Sequence, residues 1–422
     1  VSREVARSLE RVQKLYRTSM TLKLASGVPI LAALTGLAAV IGRGTHAIVL
    51  PVALIGLSNL VDTVALSMHS VLQGRQHMGA PALALASENV VLVSVGSIAI
   101  VVFGGGLITL GTIYVVASLV AFAVIWIASR KHGVSPQLRG SHGMDWAAAR
   151  AAIPTGIASL FGAALARLDA IILSLITGSS VAVGLYGGAY RLFEATMFVC
   201  WAFGLAVLPL LSTAGRRTAK LRRLYELSCV TIGAITVPVG LVMVLFGPSL
   251  IRAVYGPGFR AGGTATRILG GAVPLYGLFT VAVVTVASQN REKWFPWLAG
   301  GALAINVALD LTLIPSLGVN GAAVAMLAAI AVGAVATFFV AQHETGHVSL
   351  TRMFAAVIVG AAAMILSGLW LEPVSLALPV SLVSFAVAFL ATVSVVHRRD
   401  LSTFVAQALR RKGTEPEPAG AA

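Results

Sequence analysis

The chain has 422 residues, of which 58% are hydrophobic and only 11% are charged, and its formal net charge is +15. Soluble domains carry about 25% charged residues, so the composition excludes an ordinary soluble protein. The basic residues form short clusters between apolar runs, which is typical of membrane-protein loops and argues against nucleic acid as a partner. Cys200 and Cys229 lie inside apolar runs without metal-ligand spacing, and no metal or cofactor is predicted.

Apolar windows long enough to cross a bilayer recur along the whole chain. A span needs about 20 apolar residues, and windows of this length predict an all-α polytopic membrane protein with about twelve transmembrane helices. The loops between them are too short to fold into a soluble catalytic domain. The predicted spans are 21–41, 47–70, 81–103, 107–128, 151–177, 182–210, 226–247, 266–288, 295–315, 318–341, 353–371 and 374–396.

The distribution of Lys and Arg predicts the orientation of these spans. With the N-terminus inside, most of the 30 basic residues fall in inner segments, whereas the outer loops and their edges hold only Arg43, Arg252, Arg260 and Arg267. Cytoplasmic loops of membrane proteins are enriched in Lys and Arg. We therefore expect both termini in the cytoplasm, a periplasmic loop over 248–265, and a location in the bacterial inner membrane.

Short motifs recur in the same order in the two halves of the chain, at matching points of the spans and loops. Because six spans separate each pair, both halves have the same orientation. Parallel repeats of this kind are typical of transporters, with the substrate path between the halves. Leu15-Tyr16-x-x-Ser19 with Pro29 recurs as Leu224-Tyr225-x-x-Ser228 with Pro238, Gln73-x-Arg75 with Pro81 as Gln289-x-Arg291 with Pro296, and Asn89 as Asn306.

The repeat also predicts the domain organisation. The spans 151–177 and 182–210 precede the second Tyr-Ser motif but have no counterpart in the first half, so we expect a fourteen-helix fold that lacks its first two helices. The expected domains are an N-terminal lobe of four helices (1–129), a cytoplasmic linker (130–150), a C-terminal lobe of six helices (151–341), two extra helices (342–396) and a cytoplasmic tail (397–422).

Several motifs carry a resemblance to a known family. They are Leu168-Asp169-x-Ile171-Ile172-Leu173-Ser174, Gly178, Val183-Gly184-Leu185-Tyr186-x-x-Ala189-Tyr190-Arg191, Val254-Tyr255-Gly256-x-x-Phe259, Ile314-Pro315-x-x-Gly318-x-x-Gly321-Ala322-Ala323 and, near the N-terminus, Arg3-Glu4-Val5-Ala6-Arg7. Over nearly its whole length the chain resembles the Wzx-type polysaccharide-biosynthesis flippases of the multidrug/oligosaccharidyl-lipid/polysaccharide exporter (MOP) superfamily.

The resemblance implies a V-shaped bundle of two lobes that works by alternating access. The implied substrate is a lipid-linked oligosaccharide on a polyprenyl diphosphate carrier, which would move to the periplasmic leaflet for cell-surface polysaccharide synthesis. Membrane lipid, polysaccharide polymerase and glycosyltransferases are the implied partners.

Polar residues inside the spans are the candidate site. Ionisable groups at bilayer depth cost about 2.5–3.5 kcal/mol each, so they need partners, an ion or an aqueous cavity. An arginine fork suits an anionic diphosphate. Interhelical hydrogen bonds and structural ion pairs are the alternative for each residue. The residues predicted to line the substrate cavity are Arg167, Asp169, Asn306, Asp310, Glu88, Asn89, Asn59 and Asp62.

Two further pairs are predicted to act in gating or as structural ion pairs. Arg191 and Glu194 are three residues apart and share a helix face, so they can neutralise each other. Arg75 and Arg291 are related by the repeat and lie in inner loops, where they either set the orientation or close the cytoplasmic mouth as a symmetric latch.

Two other classes compete with the flippase hypothesis. A cation-coupled multidrug antiporter of the same superfamily would favour acidic cavity residues over Arg167. A membrane-embedded enzyme would need a catalytic constellation, but the eight histidines have no HExxH spacing and the chain has no Walker A phosphate loop. The sequence therefore favours a transporter over an enzyme, with an energy source other than ATP.

Overall fold

The computed structural model describes residues 12–41, 46–74, 79–131, 146–346, 348, 350–370 and 374–396, and all regular elements within these ranges are helical. Arg75, the linker residues 132–145 and the tail 397–422 lie outside the described residues. The α-helices are α1 (Val12–Ile41), α2 (His46–Gly74), α3 (Gly79–Val101), α4 (Leu107–Lys131), α5 (Trp146–Leu165), α6 (Leu168–Thr177), α7 (Ser180–Ser212), α8 (Ala219–Tyr255), α9 (Gly263–Ser288), α10 (Phe295–Leu317), α11 (Val319–Thr345), α12 (Leu350–Trp370) and α13 (Val374–Val396), with 3-10 helices at Pro257–Gly262 and Glu292–Trp294.

The helices have the length and surface of membrane spans. Eleven helical segments of the described chain are long and apolar enough to cross a bilayer, and Phe354–Trp370 is a shorter apolar helix. Large apolar side chains such as Phe198 and Trp201 stand exposed on their outer faces. Such surfaces are stable in hydrocarbon because the lipid tails are as apolar as the side chains. The predicted all-helical, multi-pass membrane architecture is confirmed.

The chain divides into two compact units, Val1–Ile153 (unit 1) and Pro154–Ala422 (unit 2), and the same helix pairing recurs inside each. In unit 1, α1 packs on α2, and α4 packs on both α2 and α3. In unit 2, α8 packs on α9, and α11 packs on both α9 and α10. The repeat-related Tyr16 and Tyr225 are both buried, at 2% and 1% exposure. The sequence repeat therefore corresponds to a repeated packing unit.

Helix α8 is longer than the hydropathy pattern predicts. The predicted outer loop over 248–265 is wrong in its bounds, because α8 continues to Tyr255 and a 3-10 helix follows. Pro248 has no N–H to donate to a helix hydrogen bond, and the helix is kinked at Phe246 (φ −111°, ψ 15°). At Gly247 a Cβ would lie 2.9 Å from the Gly263 carbonyl oxygen, so this glycine lets α8 pack closely on α9.

Candidate functional site

One membrane span of unit 2 is broken near its middle. The sequence predicts a single helix over 151–177, but α5 ends at Leu165 and α6 begins at Leu168. Arg167 stands at the break with φ −130° and ψ −24°, and its amide bonds the Ala164 carbonyl at 3.0 Å. The first amides of a helix lack intrahelical acceptors and form the positive end of its dipole. The break therefore places the positive N-terminal end of α6 inside a candidate membrane span, as in discontinuous transporter helices, and the acidic Asp169 lies in the first turn of this helix.

Two arginines share one carboxylate at this break. Arg167 Nη2 lies 3.5 Å from Glu194 Oε1, and Arg191 Nη1 lies 2.7 Å from Glu194 Oε2. The side chains of Arg167 and Arg191 are about 60% exposed, whereas that of Glu194 is 32% exposed. We call these three residues the arginine cluster. One carboxylate leaves it with a net positive charge, so its exposed forks are available to an anionic ligand.

A buried acidic cluster lies on the other side of α6. Asp169 is 1% exposed, and its Oδ2 accepts a hydrogen bond from the Tyr186 hydroxyl of α7. Asn306 and Asp310 of α10 are fully buried, and their side chains approach Asp169. The sequence places Asn306 and Asp310 on one helix face but gives no sign that Asp169 meets them. Tyr186 was not predicted as a site residue, although it lies in one of the family motifs.

The acidic cluster is short of hydrogen-bond partners. Asp169 Oδ1, both Asp310 carboxyl oxygens and both amide atoms of Asn306 are buried without one. Two buried carboxylates that face each other cannot both carry an uncompensated charge. The arrangement is suited to hold a proton or a small cation. Among the described residues no group of three or more His, Cys, Asp and Glu side chains is placed to bind a metal ion.

The predicted site residues of unit 1 have a different environment. Asp62 and Glu88 are half-buried and close enough to interact. Asn59 and Asn89 are exposed, and each donates to a carbonyl of its own helix at 2.8 Å. Asn306, the repeat partner of Asn89, is fully buried on α10, which packs against α6. Among the described helices of unit 1, none corresponds to α6.

A second charged cluster lies at the predicted cytoplasmic end of unit 2. Glu344 of α11 is almost fully buried, and its carboxylate lies 2.5 Å from Arg216 Nε and 3.5 Å from Arg291 Nε. Its backbone carbonyl accepts the Arg217 amide at 2.8 Å. Arg291 thus forms an intra-unit ion pair, whereas Arg75 lies outside the described residues. Glu344 was not predicted, because it lies three residues beyond the predicted span 318–341, whereas the helix continues to Thr345.

Replacing Glu344 by glutamine is expected to destabilise unit 2. The change leaves the guanidinium groups of Arg216 and Arg291 without a counter-charge. Because Arg216 is 42% exposed, we expect a loss of about 1–3 kcal/mol rather than the 3–5 kcal/mol of a fully buried pair. The apparent unfolding temperature in detergent measures the effect. Thr312→Val, at an exposed residue of α10 whose hydroxyl bonds only its own helix, is the control, and an equal decrease in both variants would contradict the prediction.

A parallel-repeat helical bundle with charged residues at bilayer depth belongs to the class of multi-pass membrane transporters. The sequence profile of the polysaccharide biosynthesis protein family matches residues 1–214, half of the chain. The chain belongs to the polysaccharide biosynthesis protein family. No curated protein sequence matches it significantly.

Solved structures with the same fold are transporters of the MOP superfamily. The lipid II flippase MurJ in an inward closed conformation matches with a TM-score of 0.67 and 13% identity, covering 93% of this chain and 86% of MurJ. An inward-facing multidrug resistance MATE family transporter matches with a TM-score of 0.69 and 15% identity, covering 81% and 83%. A MOP superfamily transporter from Pyrococcus furiosus matches with a TM-score of 0.64 and 16% identity, covering 81% of this chain and 80% of the transporter. The predicted fold class and the predicted resemblance are confirmed.

Proposed function

We propose that this protein flips a lipid-linked oligosaccharide with a polyprenyl diphosphate carrier across the bacterial inner membrane by alternating access. The observation that carries the proposal is the arginine cluster at the broken span. Two exposed guanidinium groups beside a break in an apolar span form an environment for a diphosphate rather than for a cationic drug. Membership of the polysaccharide biosynthesis family and the fold shared with a lipid II flippase support the same substrate class.

The acidic cluster is the proposed coupling site. Asp169 and Asp310 exchange a proton or a small cation, and the occupant decides whether α6 and α10 can stay packed together. Asn306 and Tyr186 supply a neutral amide and a hydroxyl to the same space. Transport is thus driven by an ion gradient, with no enzyme chemistry in this chain. Glycosyltransferases would supply the substrate on the cytoplasmic side, and a polymerase would consume the product on the other side.

A cation-coupled multidrug antiporter is the second candidate, because a buried acidic pair would serve it equally well. Its substrate would be a lipophilic cation. The arginine cluster disfavours such a substrate by like-charge repulsion. In unit 1, Asp62 and Glu88 are half-buried and interact with each other, so they are an alternative acidic pair for a cation.

A flipping assay separates the two candidates. The purified protein is reconstituted in liposomes with a fluorescent sugar on a polyprenyl diphosphate, and dithionite reports the fraction reachable from outside. We expect protein-dependent flipping that an imposed pH or sodium gradient accelerates. Protein-free liposomes and a fluorescent phosphatidylglycerol are the controls. Uptake of ethidium without flipping of the lipid-linked sugar would overturn the proposal in favour of the antiporter.

The expected topology has cytoplasmic termini and a periplasmic 3-10 helix at Pro257–Gly262. Gly258 is a suitable reporter because a Cβ there meets no heavy atom within 4 Å, whereas Ser249 lies inside α8. In a variant without Cys200 and Cys229, we expect Gly258→Cys to react with an impermeant thiol reagent from outside the cell. Ser212→Cys should react only after permeabilisation. The reverse pattern would contradict the orientation.

A further inference from the structure

Unit 2 contains an apolar cavity next to the arginine cluster. The cavity has a volume of about 300 Å³ and lies between α5, α7, α9, α10 and α11. Aromatic rings line much of its wall, namely those of Tyr190, Phe193, Tyr276, Phe279 and Phe295. The cavity is partly open to its surroundings rather than sealed inside the core, so an apolar chain can enter it.

The size and lining of the cavity indicate a short hydrocarbon segment. An apolar cavity of about 150 Å³ holds one benzene ring, so this space accepts roughly ten to twelve carbon atoms. Polar groups on the wall are few, since only the Tyr190, Tyr276 and Ser159 side chains carry a hydroxyl. A water-filled space or a sugar site would need more hydrogen-bonding groups.

The cavity and the arginine cluster are continuous along two chain segments. Ala166 lines the cavity and Arg167 follows it, while Tyr190 lines the cavity and Arg191 follows it. Tyr190 lies close enough to Glu194 and Arg167 to interact with both. One amphiphilic ligand can therefore place an anionic head on the two guanidinium groups and its apolar chain in the cavity.

We propose that this cavity binds the first two isoprene units of the polyprenyl carrier, next to its phosphate groups; this inference rests on the proposed function. In a polyprenyl phosphate the hydrocarbon begins directly at the phosphate ester. A phospholipid would instead bring glycerol ester carbonyls into the apolar space, and unpaired polar groups are costly there. The cavity thus selects an isoprenoid chain over a diacylglycerol, and it holds the substrate where its diphosphate meets Arg167 and Arg191.

Glycine substitutions on α5 test the proposal. A Cβ at Gly162, which lines the cavity, meets no heavy atom within 4 Å, so Gly162→Leu fills the space without displacing the fold. Gly156, on the same helix, is equally unobstructed but does not line the cavity, which makes Gly156→Leu the matched control. The probe is farnesyl phosphate, whose binding to the purified full-length protein is followed by the rise in unfolding temperature.

We expect farnesyl phosphate to bind at least tenfold more weakly to Gly162→Leu than to the wild type, with Gly156→Leu unchanged. Lysophosphatidic acid and inorganic phosphate should stabilise the wild type far less than farnesyl phosphate. Equal affinity of the wild type and Gly162→Leu would overturn the proposal, and so would a preference for lysophosphatidic acid.

A labelling experiment uses the wild-type protein, so its result does not depend on whether a variant folds. A farnesyl phosphate with a diazirine on its second isoprene unit should label α5, α7 or α9 at residues that line the cavity. Labels confined to the outer surfaces of α12 and α13 would contradict the proposal. The flipping assay separates the proposed function from the proposed cavity site. If the cavity is labelled but the protein does not flip the lipid-linked sugar, the proposed function alone is refuted. If the wild type and Gly162→Leu flip it equally well, the cavity site alone is refuted.

Discussion

Replacing Arg167 by alanine is expected to reduce flipping of the lipid-linked sugar by about ten- to hundredfold. A hydrogen bond to a charged group is worth about 1.5–3 kcal/mol, and each 1.4 kcal/mol is a factor of ten in binding. Arg167→Lys should recover only part of the activity, because an ammonium group lacks the two-pronged fork. Arg167→Ala should also fail to complement a flippase-deficient strain.

The control for Arg167→Ala is Arg260→Ala, at another exposed arginine of unit 2 that lies outside the arginine cluster. Unfolding temperature and membrane yield are measured for both variants. Normal flipping by Arg167→Ala at equal yield would refute the anion-binding role. Loss of the folded protein would instead assign Arg167 to the structural ion pair with Glu194.

Replacing Asp310 by asparagine is expected to uncouple transport from its ion gradient while stabilising the protein. The change keeps the shape of the side chain but removes one of two facing buried acids, so the remaining Asp169 no longer needs a shared proton or cation. We expect flipping under an imposed pH or sodium gradient to fall at least tenfold. The unfolding temperature should rise by about 1–2 °C, because the shift that 1 kcal/mol produces becomes smaller as a chain becomes longer.

Thr337→Val is the control for Asp310→Asn, because Thr337 is also fully buried in unit 2 and bonds only its own helix. It should leave the gradient response unchanged. If Asp310→Asn keeps the full gradient response, the acidic cluster is not the coupling site. A fall in both activity and stability would mean that the cluster holds the helices together rather than exchanging an ion.

The sequence predicted the membrane fold well because its signals are local. Hydropathy over about 20 residues fixes a span wherever it occurs, so most predicted spans coincide with helices of the structure. The repeat was visible because the two copies keep their motifs in order, and the helix pairing around Tyr16 and Tyr225 follows that order. The continuation of α8 to Tyr255 was missed because hydropathy falls at Gly247-Pro248, whereas the backbone accommodates the proline as a kink.

The candidate site depends on contacts between distant parts of the chain, which no local pattern encodes. Spacing along one helix predicted that Arg191 can reach Glu194. Only the packing of α6 against α7 and α10 decided that Arg167 joins this pair and that Asp169 meets Tyr186, Asn306 and Asp310. The sequence by itself thus predicted which charges lie within apolar spans, because the position of a residue in a span is read from local hydropathy. The tertiary structure decided which of them are exposed and which are buried, because burial depends on the helices that happen to cover each side chain.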